Sequence, residues 1–296
     1  MSFTAFPQSE RSGFIPVKGG RIWYKAISMD KPGTPLLCLH GGPGAPHDYM
    51  KPLEKLADER PVIFYDQLGC GNSDSPEDTS LWRMERFMDE IDSVRKALGL
   101  TEVVILGQSW GTALLASYLI DGRGTGVKSA IFDAPCLSVS RWIADQEAYL
   151  KKLPEEMRQA VAEADATGNY SSIEYQSAMG EYYKRHLCML EPWPDYVNEA
   201  FSKMGVGVYN HMWGPSEFKA TGTLKNLELA EELHKIKIAS IFICGEFDEA
   251  TPLTTEWYSK QLPGSEFRVI PGSSHMHHAE KEEEYLAIVR DFLKRN

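Results

Sequence analysis

The run Gly107-Gln108-Ser109-Trp110-Gly111 holds a serine between flanking glycines, an arrangement that can turn a hydroxyl into a nucleophile. It follows an apolar stretch at 103–106 and precedes a helix-like stretch at 112–120. The pattern G-x-S-x-G is common by chance. Between a strand and a helix it describes a strained turn that lifts the serine Oγ above a sheet. Glycine is expected at 107 and 111 because a Cβ there would strike the adjoining helix or strand. The turn also sets Oγ at a helix N-terminus, where free N–H groups favour developing negative charge.

A serine hydroxyl is a weak nucleophile until a base, oriented by a third group, takes its proton. In chains that present the serine on such a turn, the acid and then the histidine follow it. Gly245-Glu246-Phe247-Asp248-Glu249 follows the apolar stretch 241–244, and Pro271-Gly272-Ser273-Ser274-His275 follows 267–270. Position favours Asp248 and His275, with Glu246 or Glu249 as competing acids and His277 or His278 as competing bases. The base is expected to titrate near the ordinary histidine value of about 6.5. His40-Gly41-Gly42-Pro43-Gly44, directly after the stretch 36–39, offers backbone N–H groups to a tetrahedral oxyanion. The residue after the nucleophile, Trp110, would supply the other donor. Removing one such donor costs about 2.7–4 kcal/mol in the transition state. His40 itself reads as a hydrogen-bonder that shapes the loop. The loop from Asp66 to Asp74 reads as a structural turn, with Cys70 near the pocket but no base beside it.

These loops need a scaffold that brings them to one edge. Short apolar runs at 36–39, 62–65, 103–106, 130–132, 241–244 and 267–270 are continuous rather than alternating, as buried parallel strands are. Met84–Leu98 carries apolar residues at spacings of three and four, so it is expected to be a helix. Alternation of strand and helix predicts a mostly parallel, doubly wound α/β sheet. From 134 to 240 no buried strand is legible; helix-like stretches at 142–153, 155–165, 173–190 and 196–203 predict an inserted helical cap. Seven of the thirteen tyrosines fall in that interval, which equips it to line a pocket. The expected organisation is a core of 1–136 and 236–296 with a cap at 137–235.

Composition narrows the function. The 31 basic and 42 acidic residues give a formal charge of −11, which argues against nucleic-acid or anionic-membrane surfaces. No apolar run is long enough to span a bilayer. Met1 to Arg11 contains no apolar core of the kind a secretory signal needs, and the first dozen residues read as a loosely held tail. Five widely spaced cysteines without a CxxC pair suggest reduced thiols and a cytoplasmic setting. No metal or organic cofactor is expected: His275, His277 and His278 lack a partner acid at metal-ligand spacing.

The motifs together, HGGPG, DQLGCGNSD, GQSWG, GEFDEATP and PGSSH, resemble those of the proline iminopeptidases (prolyl aminopeptidases). This is the peptidase branch of the α/β hydrolases that includes the tricorn-interacting aminopeptidase and related L-amino-acid amidases. The resemblance runs from about Gly13 to the C-terminal helix. It implies Ser109, Asp248 and His275 as nucleophile, acid and base, and the N–H groups of the Gly41/Gly42 loop and Trp110 as the oxyanion hole. It also implies a helical cap and acidic side chains that hold a free substrate α-amino group. Glu217, in Met212-Trp213-Gly214-Pro215-Ser216-Glu217-Phe218, matches the first of these and Glu249 the second.

The expected activity is release of an N-terminal residue, proline or a small apolar amino acid, from short peptides or amides through an acyl-enzyme. An L-amino-acid amidase, or an esterase or lactonase of the same fold, would share the motifs. So would a catalytically silent binding protein, although the intact Ser-Asp-His set and both oxyanion loops argue against it.

Overall fold

Eight strands form one sheet in the order β1-β2-β4-β3-β5-β6-β7-β8 in the computed structural model, which describes residues 9–296. The strands β3 (Leu36–Leu39), β4 (Val62–Tyr65), β5 (Val103–Gln108), β6 (Val127–Asp133), β7 (Ala239–Gly245) and β8 (Glu266–Ile270) are mutually parallel. All six apolar runs of the sequence are therefore strands, several longer by one to four residues.

Alternate residues of the central strands feed two separate apolar cores. Leu37, Ile63, Ile105 and Phe132 pack on one face beneath α1 (Met84–Leu98), α2 (Trp110–Ile120) and α8 (Pro252–Gln261). Leu36, Phe64, Val104 and Ile131 pack on the other beneath the 3₁₀ segment His47–Asp58 and α10 (Glu282–Arg295). A strand covered on both faces has no side on which a polar residue is tolerated, so its run is continuous.

β1 (Glu10–Val17) and β2 (Gly20–Ile27) were not foreseen. They form an antiparallel hairpin that joins the sheet through β2 and β4. From Glu10 onward the expected tail is instead an edge strand; the rest of that expectation lies outside the described residues. β1 escaped notice because its outer face is exposed and its residues are mixed, giving no apolar run.

Between β6 and β7 the chain runs through α3 (Val139–Leu150), α4 (Glu155–Thr167), α5 (Ile173–His186), α6 (Asp195–Ser202) and α7 (Val206–Met212). The first four match the helix-like stretches; α7, seven residues long, is too short to show a period. Leu153, Val161, Tyr175, Met179, Tyr182 and Phe218 give this region an apolar cluster of its own. Its tie to the sheet is direct: the carbonyl of His186, ending α5, accepts the N–H groups of Glu249 (3.3 Å) and His275 (3.1 Å). Among the described residues no helix is long and apolar enough to cross a membrane. All five cysteines are buried and unpaired.

Candidate active site

Parallel strands deliver every following loop to one edge, and the sequence-derived site residues meet there. Ser109, between β5 and α2, has φ 54° and ψ −121°, a conformation rarely populated by a residue with a side chain. The turn is possible because of its glycines. A Cβ on Gly107 would lie 2.2 Å from the carbonyl oxygen of Gly111, and one on Gly111 would lie 2.2 Å from that of Leu39. These are the helix and strand collisions expected from the motif.

Asp248 follows β7 and His275 follows β8. His275 Nδ1 lies 2.7 Å from Asp248 Oδ1, and both side chains are buried. The carboxylate also accepts the N–H groups of Ala250 (2.8 Å) and Gly245 (3.1 Å). Burial works to raise Asp248, but His275 and His277 outweigh it and hold the carboxyl well below its ordinary range. The competing acid Glu246 instead binds the Gly272 N–H at the surface. The competing bases face elsewhere, His277 toward Asp133 and His278 toward the Tyr49 carbonyl.

Ser109 and His275 line one cavity of about 450 Å³, together with Trp110, Gly42, Glu217 and Glu249. No hydrogen bond joins Ser109 Oγ to His275. The nearest acidic atom to His275 Nε2 is Glu249 Oε1 at 3.5 Å. Such bonds are often long before substrate binds. Burial disfavours the charged ring, yet Asp248 and Glu249 outweigh burial and raise His275 to about 9. These two carboxylates correct the expectation of a group titrating near the ordinary histidine value.

Glu217 and Glu249 line the same cavity, the half-buried Glu217 from the segment after α7 and the buried Glu249 from the loop after β7. Tyr209 Oη donates to Glu217 Oε1 at 2.5 Å and Tyr182 Oη to Glu249 Oε2 at 3.2 Å. Burial first of all raises both carboxyls; for Glu249, His275 pulls it down while the nearby charges of Glu217 and Asp248 push it up. Among the described residues no Lys or Arg pairs with either.

Of the N–H groups expected to receive an oxyanion, one is already engaged. Gly41 lines the cavity, but its N–H already donates to Tyr49 Oη at 2.7 Å. Tyr49 in turn donates to Gln108 Oε1 at 2.6 Å. The N–H of Gly42 and that of Trp110, in the first turn of α2, have no partner among the described residues. His40 shapes the loop as expected: its Nε2 accepts the Gln67 N–H at 2.9 Å. Cys70 is buried, and burial first of all pushes its thiol up, away from reactivity.

Asp133, at the end of β6, supplies beside His277 the acid that sequence spacing did not show. Ligand-type atoms of Asp133, His277 and His278 lie within 4.8 Å of one another. Asp133 Oδ1 is, however, 2.6 Å from His277 Nε2, a hydrogen-bond distance that leaves no room for an ion between them.

The chain matches the model of the alpha/beta hydrolase fold family over residues 34–282. It is 46% identical over 282 residues to the proline iminopeptidase of Heyndrickxia coagulans, covering 95% of this chain and 98% of that one. The chain belongs to the proline iminopeptidase family of α/β hydrolases. The crystal structure of Mycobacterium smegmatis proline iminopeptidase is 34% identical and superposes with a TM-score of 0.88, covering 96% of this chain and 98% of that one. The crystal structure of VinJ is 30% identical with a TM-score of 0.93, over 98% and 99% of the two chains.

In this member of the proline iminopeptidase family, several site-shaping residues had no sequence signal. Gln146 Nε2 on α3 donates to the Glu249 carbonyl at 2.9 Å, and Tyr149 Oη donates to that of Asp248 at 3.0 Å. Tyr182 on α5 reaches both Gln146 and Glu249. Their only advance sign was the tyrosine richness of the interval, which names no individual residue.

Proposed function

We propose that this chain is a serine aminopeptidase that releases an N-terminal residue, proline or a small apolar amino acid, from short peptides or amino-acid amides. The observation that carries the reading is the pair Glu217 and Glu249, a half-buried and a buried carboxylate that share a cavity with Ser109 and have no Lys or Arg paired with them among the described residues. Two acids drawn out of water repel each other and need a cation. A substrate α-ammonium is such a cation, and it brings the first carbonyl of the substrate within reach of Ser109.

Ser109 Oγ then attacks that carbonyl while His275 Nε2 takes its proton. Asp248 holds the ring orientation and stabilises the imidazolium. The N–H groups of Gly42 and Trp110 receive the oxyanion, Gly41 being committed to Tyr49. His275 returns its proton to the leaving amine, and the acyl-enzyme forms. Water activated by His275 attacks the acyl carbonyl and frees the amino acid. The ammonium also sets the state of the base: its positive charge offsets the pull of Glu249 on His275, so the ring can be neutral when substrate is in place. We take 137–235 as a cap over a core of 1–136 and 236–296, closing the cavity so that one residue fits between Ser109 and the acidic pair. No metal or organic cofactor takes part. A cytoplasmic setting is supported by the buried, unpaired cysteines.

The test compares prolyl-anilide, its N-acetylated form and a nitrophenyl acetate ester, with Ser109 followed by a fluorophosphonate probe. Turnover of the free anilide well above that of the acetylated one is expected. Equal turnover would move the reading to an esterase, and failure of Ser109 to label would overturn serine chemistry.

A further inference from the structure

Behind Asp248, on the side away from His275, lies a buried histidine that the steps above do not use. His277, at the start of the short helix α9 (His277–Glu280), has no solvent exposure. Its Nε2 is 2.6 Å from Asp133 Oδ1, and its Nδ1 is 3.1 Å from the Ser274 carbonyl oxygen and 3.6 Å from Asp248 Oδ2. Tyr285 Oη donates to the other oxygen of Asp133 at 3.0 Å. Both ring nitrogens of His277 thus face oxygens that accept. A neutral imidazole has one N–H and would leave a nitrogen lone pair against an oxygen. An imidazolium donates from both.

We propose that His277 is a positioning residue, held as an imidazolium between Asp133 and Asp248, and that its charge limits how tightly Asp248 and Glu249 retain the proton on His275. This rests on the reading of Ser109, His275 and Asp248 given above.

The neighbourhood supplies the balance. Facing His277 are Asp133 from β6, Asp248 from the loop after β7, Tyr285 from α10, its own neighbour His278, and His275. Tyr285 is neutral, since burial pushes its hydroxyl far up. His278 is neutral too, lowered to about 4 first of all by burial. The charges that remain are the two carboxylates, His277 and, below its own titration, His275. Burial opposes a charge on His277, but Asp133 and Asp248 outweigh it and raise the ring to about 10. Without that cation, His275 would sit between Asp248 and Glu249 with no positive charge behind them. It would hold its proton to higher pH and serve as a base over a narrower range.

The decisive measurement is direct. In ¹⁵N-labelled wild-type enzyme, two-bond ¹H–¹⁵N correlations report which histidine nitrogens carry protons; His277 is assigned by loss of its signals in His277→Gln. Both nitrogens should stay protonated from about pH 6 to about pH 8.5, well above the ordinary range. A neutral His277 at pH 7 would overturn the proposal. The kinetic counterpart is the acid limb of kcat/KM on prolyl-anilide. His277→Gln should move it up by about one pH unit. Asp133→Asn/His277→Gln, which removes both charges, should bring it back toward wild type. An unmoved limb with uniformly reduced kcat would mean that His277 only packs. Fluorophosphonate labelling of Ser109 separates the two readings: if it fails, the hydrolase reading falls, whereas the NMR result decides the charge of His277 by itself.

Discussion

Glu249 Oε1 lies 3.5 Å from His275 Nε2, the ring nitrogen opposite the one that meets Asp248 at 2.7 Å. His275, the proposed base, is therefore flanked by two carboxylates, and one of them is also the proposed ligand for the substrate ammonium. If both roles hold, substrate binding and activation of the base share an atom, which gives the kinetics a recognisable form.

The pH profiles should separate free and bound enzyme. His275, raised to about 9, is charged below that value and becomes a base only above it, so kcat/KM should fall as pH drops through a limb well above the ordinary 6.5. In the bound state the substrate ammonium offsets Glu249, and the limb in kcat should lie lower. Glu249→Gln removes an anion from beside the ring and should shift the kcat/KM limb downward for a neutral ester. A limb at the ordinary histidine value, indifferent to Glu249→Gln, would contradict the assignment.

Ser109→Ala should reduce kcat by several orders of magnitude and leave the circular dichroism spectrum unchanged. Because the three residues act as a unit, adding His275→Ala should cost little more. Turnover near that of wild type in the single variant would remove Ser109 from the mechanism.

Glu217→Gln tests what the cavity is for. A charge-assisted hydrogen bond to a desolvated ammonium contributes about 1.5–3 kcal/mol, so kcat/KM on prolyl-anilide should fall roughly ten- to a hundred-fold. Hydrolysis of the uncharged acetate ester should hardly change. Equal losses on both substrates would show that Glu217 supports the structure through Tyr209 and does not hold an amine.

Gly111→Ala should destabilise the protein, not merely slow it. The added Cβ would stand 2.2 Å from the Leu39 carbonyl oxygen, which belongs to a central strand and cannot yield. Overpacking of this kind costs about 1–3 kcal/mol, occasionally more. Thermal unfolding should show a clear drop in Tm; an unchanged Tm would mean that the turn can open without loss.

Much of this protein was legible because local chemistry left little choice. Inner strands covered on both faces must be largely apolar, so five were visible as buried runs; β8, at the sheet edge, is only half-buried and holds the exposed Arg268 within its run. The turn at Ser109 needs glycine on both sides, and parallel strands must deliver their following loops to one edge. The pairing of Asp248 with His275 was thus legible from order and position. The hairpin Glu10–Ile27 was not, because an edge strand with one exposed face mixes residue types. What only the tertiary structure decided is which charges and hydrogen bonds meet. That Gly41 gives its N–H to Tyr49, that Glu249 stands beside the base, and that Asp133 reaches across 144 positions to His277 all depend on contacts between distant segments. Such contacts carry no periodicity and no spacing. A buried carboxylate changes its neighbour's proton affinity through distance and desolvation, and both quantities exist only after the chain has folded.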